Sequence, residues 1–130
     1  MNQEEKIKFG LEQLVKGNFD VVDEIFSTDY LAHVGDKEYK GHGFIKRFAR
    51  QLRCAIPDIK IVKIEFLAQA DDTITWQRIF TGTHKANMMG IPPSGKKIKW
   101  IEMVVTRFKD KKIAEEWVVS ELAGELALKL

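Results

Sequence analysis

Apolar positions recur at helical spacing over the first third of the chain and at strand spacing over the rest. Ile7, Leu11, Leu14 and Val15 fall on one side of a helix. Gly17 ends that helix, and Asn18 is positioned to cap a second, short one carrying Val22, Ile25 and Phe26. Residues 30–34 read as a brief strand or an extended loop. Gly35-Asp36 and Gly41-His42-Gly43 are turn signals. A third helix is expected over residues 43–54, with Phe44, Ile45, Phe48, Leu52 and Ala55 as its buried side. Pro57 stops it, because a proline pushes the preceding residue out of helical geometry.

From residue 59 the period changes. Residues 59–70, 73–85, 96–109 and 112–120 are rich in β-branched and aromatic side chains, with turns at Asp71-Asp72 and Asp110-Lys111. Residues 88–95 hold two prolines and two glycines and form a loop. A short helical tail is expected at 121–130. Helices first and four long strands after read as α+β, with a curved antiparallel meander. Long strands twist and curl. A sheet curled around the longest helix makes a cone that can enclose a small molecule.

Composition narrows the classes. The chain has 130 residues, which suits one domain spanning 1–130, and 45% of them are hydrophobic, too many for a disordered chain. Lys and Arg number 21 against 19 Asp and Glu, a net charge of +2, which points to neither nucleic acid nor a membrane surface as partner. Lys46, Arg50 and Arg53, with Arg47 beside them, make one basic side of the third helix, read as a solvated surface. The single cysteine, Cys54, excludes an internal disulfide and reads as a small buried residue. No signal peptide or membrane-length apolar run is visible, so a cytoplasmic location is expected.

Candidate chemistry lies where polar groups fall on strand faces that are otherwise apolar. Glu102 shares a face with Trp100, Val104 and Thr106; Glu116 shares one with Ala114 and Val118; Arg78 shares one with Trp76, Phe80 and His84. Two readings stand for the acids. They form a carboxylate pair inside the cone, where mutual repulsion suits one to acid–base work. Or one faces solvent, or is ion-paired with Arg78 or Arg107. Arg78 is either the counter-ion of an enolate or carboxylate ligand or the buried partner that orients Glu102. His33 and His84 are candidate proton carriers or ligand contacts, against a structural role bonded to backbone. Their spacing, with one cysteine, makes no metal site. Trp76, Trp100 and Phe48 either line a cavity or pack the core. Met88 and Met89 are placed over the pocket mouth, where a flexible thioether adapts to a ligand.

Several segments resemble a known family. Phe80-Thr81-Gly82-Thr83-His84 and Gly90-Ile91-Pro92-Pro93-Ser94-Gly95-Lys96 resemble the "GTH…GIPPTG" signature of SnoaL-like polyketide cyclases. Ala55-Ile56-Pro57-Asp58 resembles their "FPD" corner, residues 112–117 their "GKIVEHW" strand, and His33 with Gly41 their "HDP…G" segment. The resemblance implies the cone-shaped α+β barrel of the nuclear-transport-factor-2-like superfamily, and homodimers formed through the sheet. It also implies aldol ring closure without cofactor or metal. By strand alignment the family's acid falls on Glu116, and its histidine position is occupied by Glu102. The expected function is therefore acid–base lyase or isomerase chemistry, an aldol cyclisation or a dehydration. The substrate is an apolar carbonyl compound, with Glu116, Glu102 and Arg78 as catalytic groups. The alternatives are epoxide hydrolysis and a non-catalytic binder of the same fold.

Overall fold

The computed structural model describes all of residues 1–130. Helix α1 (Gln3–Lys16) begins at a reciprocal cap: the Asn2 side chain accepts from the Glu5 N–H, and the Glu5 carboxylate accepts from the Asn2 N–H. Gly17, at φ 89°, ends it in the left-handed conformation. Helix α2 (Val21–Ile25) starts after Asp20 rather than Asn18, whose amide instead donates to Gln13. Strand β1 (Phe26–Val34) and the short β2 (Lys37–Lys40) follow, so residues 26–29, expected to close a helix and a turn, open a long strand. Helix α3 (Gly41–Ala55) ends before Ile56-Pro57. Cys54 lies on its exposed side, not in the core, because the apolar stripe of α3 runs through Phe44, Phe48, Leu52 and Ala55.

Strands β3 (Lys60–Ala70), β4 (Thr73–Thr83), β5 (Lys97–Lys109) and β6 (Lys112–Ser120) make the meander, and α4 (Leu122–Leu128) closes the chain. The sheet is curved and unclosed, with strand order β2-β1-β6-β5-β4-β3. It is not wholly antiparallel: β1 runs parallel to β6, pairing Ala32 with Glu116 and His33 with Trp117. No helix is long and apolar enough to cross a membrane.

The face covered by the helices is apolar at both ends and polar at its waist. One end is a cluster of Ile7, Ile25, Tyr30, Ile45, Ile74, Trp76, Val104 and Phe108 with their neighbours. The other joins Ile56, Phe80, Met88, Ile98 and Trp100 to Leu122 and Leu126 of α4. Along β4 the inward row reads Trp76, Arg78, Phe80, and along the facing β5 it reads Val104, Glu102, Trp100. Arg78 and Glu102 thus sit at the seam between the two clusters.

Gly82 belongs to the same inward row. A Cβ there would stand 2.3 Å from Ile56 Cγ2 and 3.2 Å from the Ile59 Cα. Gly82→Ala is expected to destabilise by about 1–3 kcal/mol through overpacking. A lowered denaturant midpoint at unchanged slope checks this.

Candidate functional site

The waist is built from adjacent strands. Arg78 on β4 is directly opposite Glu102 on β5, and Glu102 is opposite Ser120 on β6. The register therefore delivers the contacts: Arg78 Nε donates to Glu102 Oε1 at 2.6 Å, and the Ser120 hydroxyl donates to Glu102 Oε2 at 2.6 Å. Two rows along the same face, past Trp76, Val104 and Val118, Thr106 on β5 is opposite Glu116 on β6, which in turn is opposite Ala32 on β1. The Thr106 hydroxyl donates to Glu116 Oε2 at 2.5 Å and the Tyr30 hydroxyl donates to Glu116 Oε1 at 2.8 Å. Trp76 Nε1 donates to Thr106 Oγ1 at 2.8 Å and fixes which way that hydroxyl points.

Both acids are inside the protein: Glu102 is 6% and Glu116 7% exposed. They do not share a hydrogen bond; each has its own partners. Arg78 is ion-paired to Glu102, whereas Arg107 pairs with Glu115 elsewhere. Burial works against the Arg78 charge, but Glu102 and Glu116 outweigh it and hold its basicity above the ordinary arginine value. Burial, then the charge of Glu116 and the hydrogen bond to it, push the Tyr30 phenol well above its usual range, so Tyr30 stays protonated and donating. Arg78 bonds within the chain through Nε alone, which leaves its two terminal nitrogens for another oxygen. Its guanidinium carbon lies 5.3 Å from the Trp76 ring centre and 5.6 Å from that of Phe80.

Glu116, Glu102, Arg78, Trp76 and Trp100 therefore gather on one face. Phe48 packs, half-buried, against the second cluster, where Phe44 stacks on it with ring centres 6.0 Å apart. The remaining candidates lie elsewhere. His33 is on the opposite face of the sheet, because its register partner is Trp117; their rings stack at 5.0 Å. His33 Nε2 bonds Glu115 at 2.6 Å. His84 lies just past the end of β4, six residues beyond Arg78. It is fully buried, and neither ring nitrogen has a partner. Met88 is core, 3% exposed, while Met89 is on the surface at 58%, so the two do not act together over an opening. The basic side of α3 is engaged locally: Lys46 with Asp23, Arg50 over Phe19, and Arg53 with the Val15 carbonyl. Tyr30, Thr106 and Ser120 were not candidates from the sequence. Only Thr106 carried a signal there, the face it shares with Glu102.

Two open hollows lie away from this site. One of about 640 Å³ is lined by the N-terminus and the Asp72 and Asp110 turns, the other of about 320 Å³ by Ser27, Asp29, Arg107 and neighbours. Neither includes Glu102, Glu116 or Arg78. Both are polar and open, whereas the waist offers desolvated charge, and perturbed charge in a dry setting is the stronger mark of chemistry.

Two carboxylates outside the waist are held below their ordinary values. Hydrogen bonds from the Thr83 backbone and hydroxyl hold Asp58 below its usual 3.8. A hydrogen bond from His33, then the Arg107 contacts, hold Glu115 below 4.5. A depressed folded pKa stabilises above the unfolded pKa and loses that contribution as pH falls through the folded value. The wild-type Tm is expected to fall below about pH 4, more steeply than that of Asp58→Asn. Thermal melts across pH 2.5–7 (about that range) check it.

The sequence model of the SnoaL-like polyketide cyclase family matches residues 7–127. Among solved structures, TsrD from Streptomyces laurentii superposes with a TM-score of 0.83 at 16% identity, over 97% of each chain. A SnoaL-like polyketide cyclase from Agrobacterium tumefaciens gives 0.79 at 20% identity, over 98% of each chain. IdmH from Streptomyces antibioticus gives 0.75 at 22% identity, over 97% of each. These likenesses establish the fold, that of the cone-shaped nuclear-transport-factor-2-like proteins. No curated protein matches the chain.

Proposed function

The chain belongs to the SnoaL-like polyketide cyclase family, and from that premise we propose that it is an acid–base enzyme of the lyase or isomerase kind, acting on an apolar carbonyl compound. The observation that carries this is the waist itself: two buried acids and an arginine whose terminal nitrogens are unbonded. Each carboxylate has about four lone-pair sites. Glu116 uses two of them, for Tyr30 and Thr106, and keeps others for a substrate proton.

In the proposed step Glu116 takes a proton from the carbon next to the carbonyl. That C–H bond breaks, an O–H bond forms on Glu116, and the electron pair moves to the carbonyl oxygen. Arg78, its charge secured by Glu102, stabilises the resulting enolate oxygen. Once the Glu116 proton has been replaced from solvent, its delivery to the α-carbon completes an exchange. Alternatively the enolate carbon attacks a second carbonyl of the same molecule, the π bond of that carbonyl breaks as the ring C–C bond forms, and the alkoxide takes the proton from Glu116. The experiment is deuterium wash-in. Neutral aryl ketones incubated with the protein in D₂O are expected to gain mass at the α-carbon well above the buffer rate. A panel of ketones that bind without gaining deuterium would make the protein a binder.

A second reading has its own support. Arg78 feels both acids, Glu102 through an ion pair and Glu116 through its charge. An acid–arginine–acid set also suits water attack on an epoxide. Diol formation from epoxides, with no ketone exchange, would select that reading.

The proposal includes a homodimer through the outer face of the sheet. Met103, Trp117 and Val119 are 38%, 39% and 73% exposed there, and form an apolar patch with Ile101 and Val105. Sedimentation is expected to give a dimer for the wild type and a monomer for Met103→Lys/Val119→Lys. A wild-type monomer would contradict it.

A further inference from the structure

On the inner face most side-chain donors beside the two acids already have an acceptor, the terminal nitrogens of Arg78 apart. Tyr30 and Thr106 donate to Glu116, Arg78 Nε and Ser120 donate to Glu102, and the Trp76 indole donates to Thr106. Trp100 breaks the pattern. The residue is 1% exposed, and its indole nitrogen is buried with no acceptor. A buried donor left unmade costs about 1–3 kcal/mol, and native proteins hold few of them.

Its position gives that donor a use. Trp100 is two residues from Glu102 on β5 and diagonal to Arg78 across the β4–β5 pair. Its ring centre is 5.3 Å from that of Phe80, over which the Arg78 guanidinium lies. The indole N–H only donates, so its complement is an acceptor. Two acids, Glu102 and Glu116, surround the one cation, Arg78, a setting that disfavours a third carboxylate from a ligand. The surroundings of the ring, Ile98, Met88 and Leu122, are apolar.

We propose that Trp100 is a positioning residue whose Nε1–H donates to the carbonyl oxygen of the ligand, and that it selects a neutral ketone over both a carboxylate and a hydrocarbon of the same shape. This rests on the reading of the inner face as a ligand site. It adds a second donor, beside the Arg78 terminal nitrogens, for the oxygen where charge develops.

The test uses 1-tetralone and 1-methylenetetralin, which differ by a carbonyl oxygen replaced with CH₂, on protein labelled with ¹⁵N at the indole nitrogens. The three tryptophans differ in setting: Trp76 is bonded to Thr106, Trp117 is on the outer face, and Trp100 is unpartnered. The ketone is expected to bind about five-fold more tightly than the hydrocarbon, in line with one hydrogen bond. It is expected to move the Trp100 indole proton downfield while the Trp76 and Trp117 signals stay in place. Trp100→Phe should cut the ketone's advantage by about two-fold or more by weakening the ketone alone, with Arg78 retaining the rest. Equal affinities for the wild type with an unmoved Trp100 signal, or an unchanged ratio in Trp100→Phe, overturn this assignment and leave the acid–base reading intact. If neither compound binds the wild type, both fall. The wild-type indole shift decides the matter even if the variant does not fold.

Discussion

Glu116→Gln is expected to abolish deuterium wash-in, by about 10²–10⁴-fold, the usual share of a positioned general base. The amide keeps the size of the acid and one oxygen that accepts from Tyr30 or Thr106. The other contact becomes an N–H facing a hydroxyl oxygen, which can turn to accept it. The fold should therefore persist with a cost of about 1 kcal/mol, one weakened buried hydrogen bond. Loss of exchange with a cooperative melt and retained ketone affinity assigns the proton to Glu116. Full exchange in the variant would remove it from that role, and an unfolded variant would make the residue structural.

Arg78→Met should show the larger effect on stability. Arg78 is the only cation bonded to Glu102, and the two side chains are 18% and 8% exposed. Removing the arginine strands a negative charge between two apolar clusters, with only Ser120 left to donate to it. Breaking one side of such a buried pair costs about 3–5 kcal/mol. Replacing both partners costs much less, so Arg78→Met/Glu102→Gln is expected to regain most of the lost stability. Urea melts of the four proteins of the cycle measure the coupling. Additive losses would show that the pair is not coupled in the way the 2.6 Å contact implies.

What the sequence disclosed follows from how local each signal is. Alternation along residues 73–85 and 96–109 placed Arg78, Glu102 and the tryptophans on common faces, because strand period is a property of a single segment. The tight turns at Asp71-Asp72 and Asp110-Lys111 then set the pairing of neighbouring strands. The parallel junction of β1 with β6 had no such local mark. Its partners are more than eighty residues apart, as in Tyr30 with Glu116, and Phe26 to Asp29 resembled the end of a helix. Tyr30 was consequently missed, and nothing in the sequence told on which face of the sheet His33 would fall, since one residue of register exchanges the faces. Met88 and Met89 read alike in sequence. The backbone separates them, for Met89 takes φ 56° while Met88 pairs with Ile91 and turns into the core. Ser120 joined the site only through its register with Glu102.

The most direct measurement is a crystal structure of the protein with 1-tetralone bound. The account predicts the ketone against the inner face of the sheet, its α-carbon about 3–3.5 Å from a Glu116 carboxylate oxygen and its carbonyl oxygen toward Arg78 and Trp100. A ketone lodged in either open hollow, or on the Trp117 face, with the inner face unchanged, would contradict it.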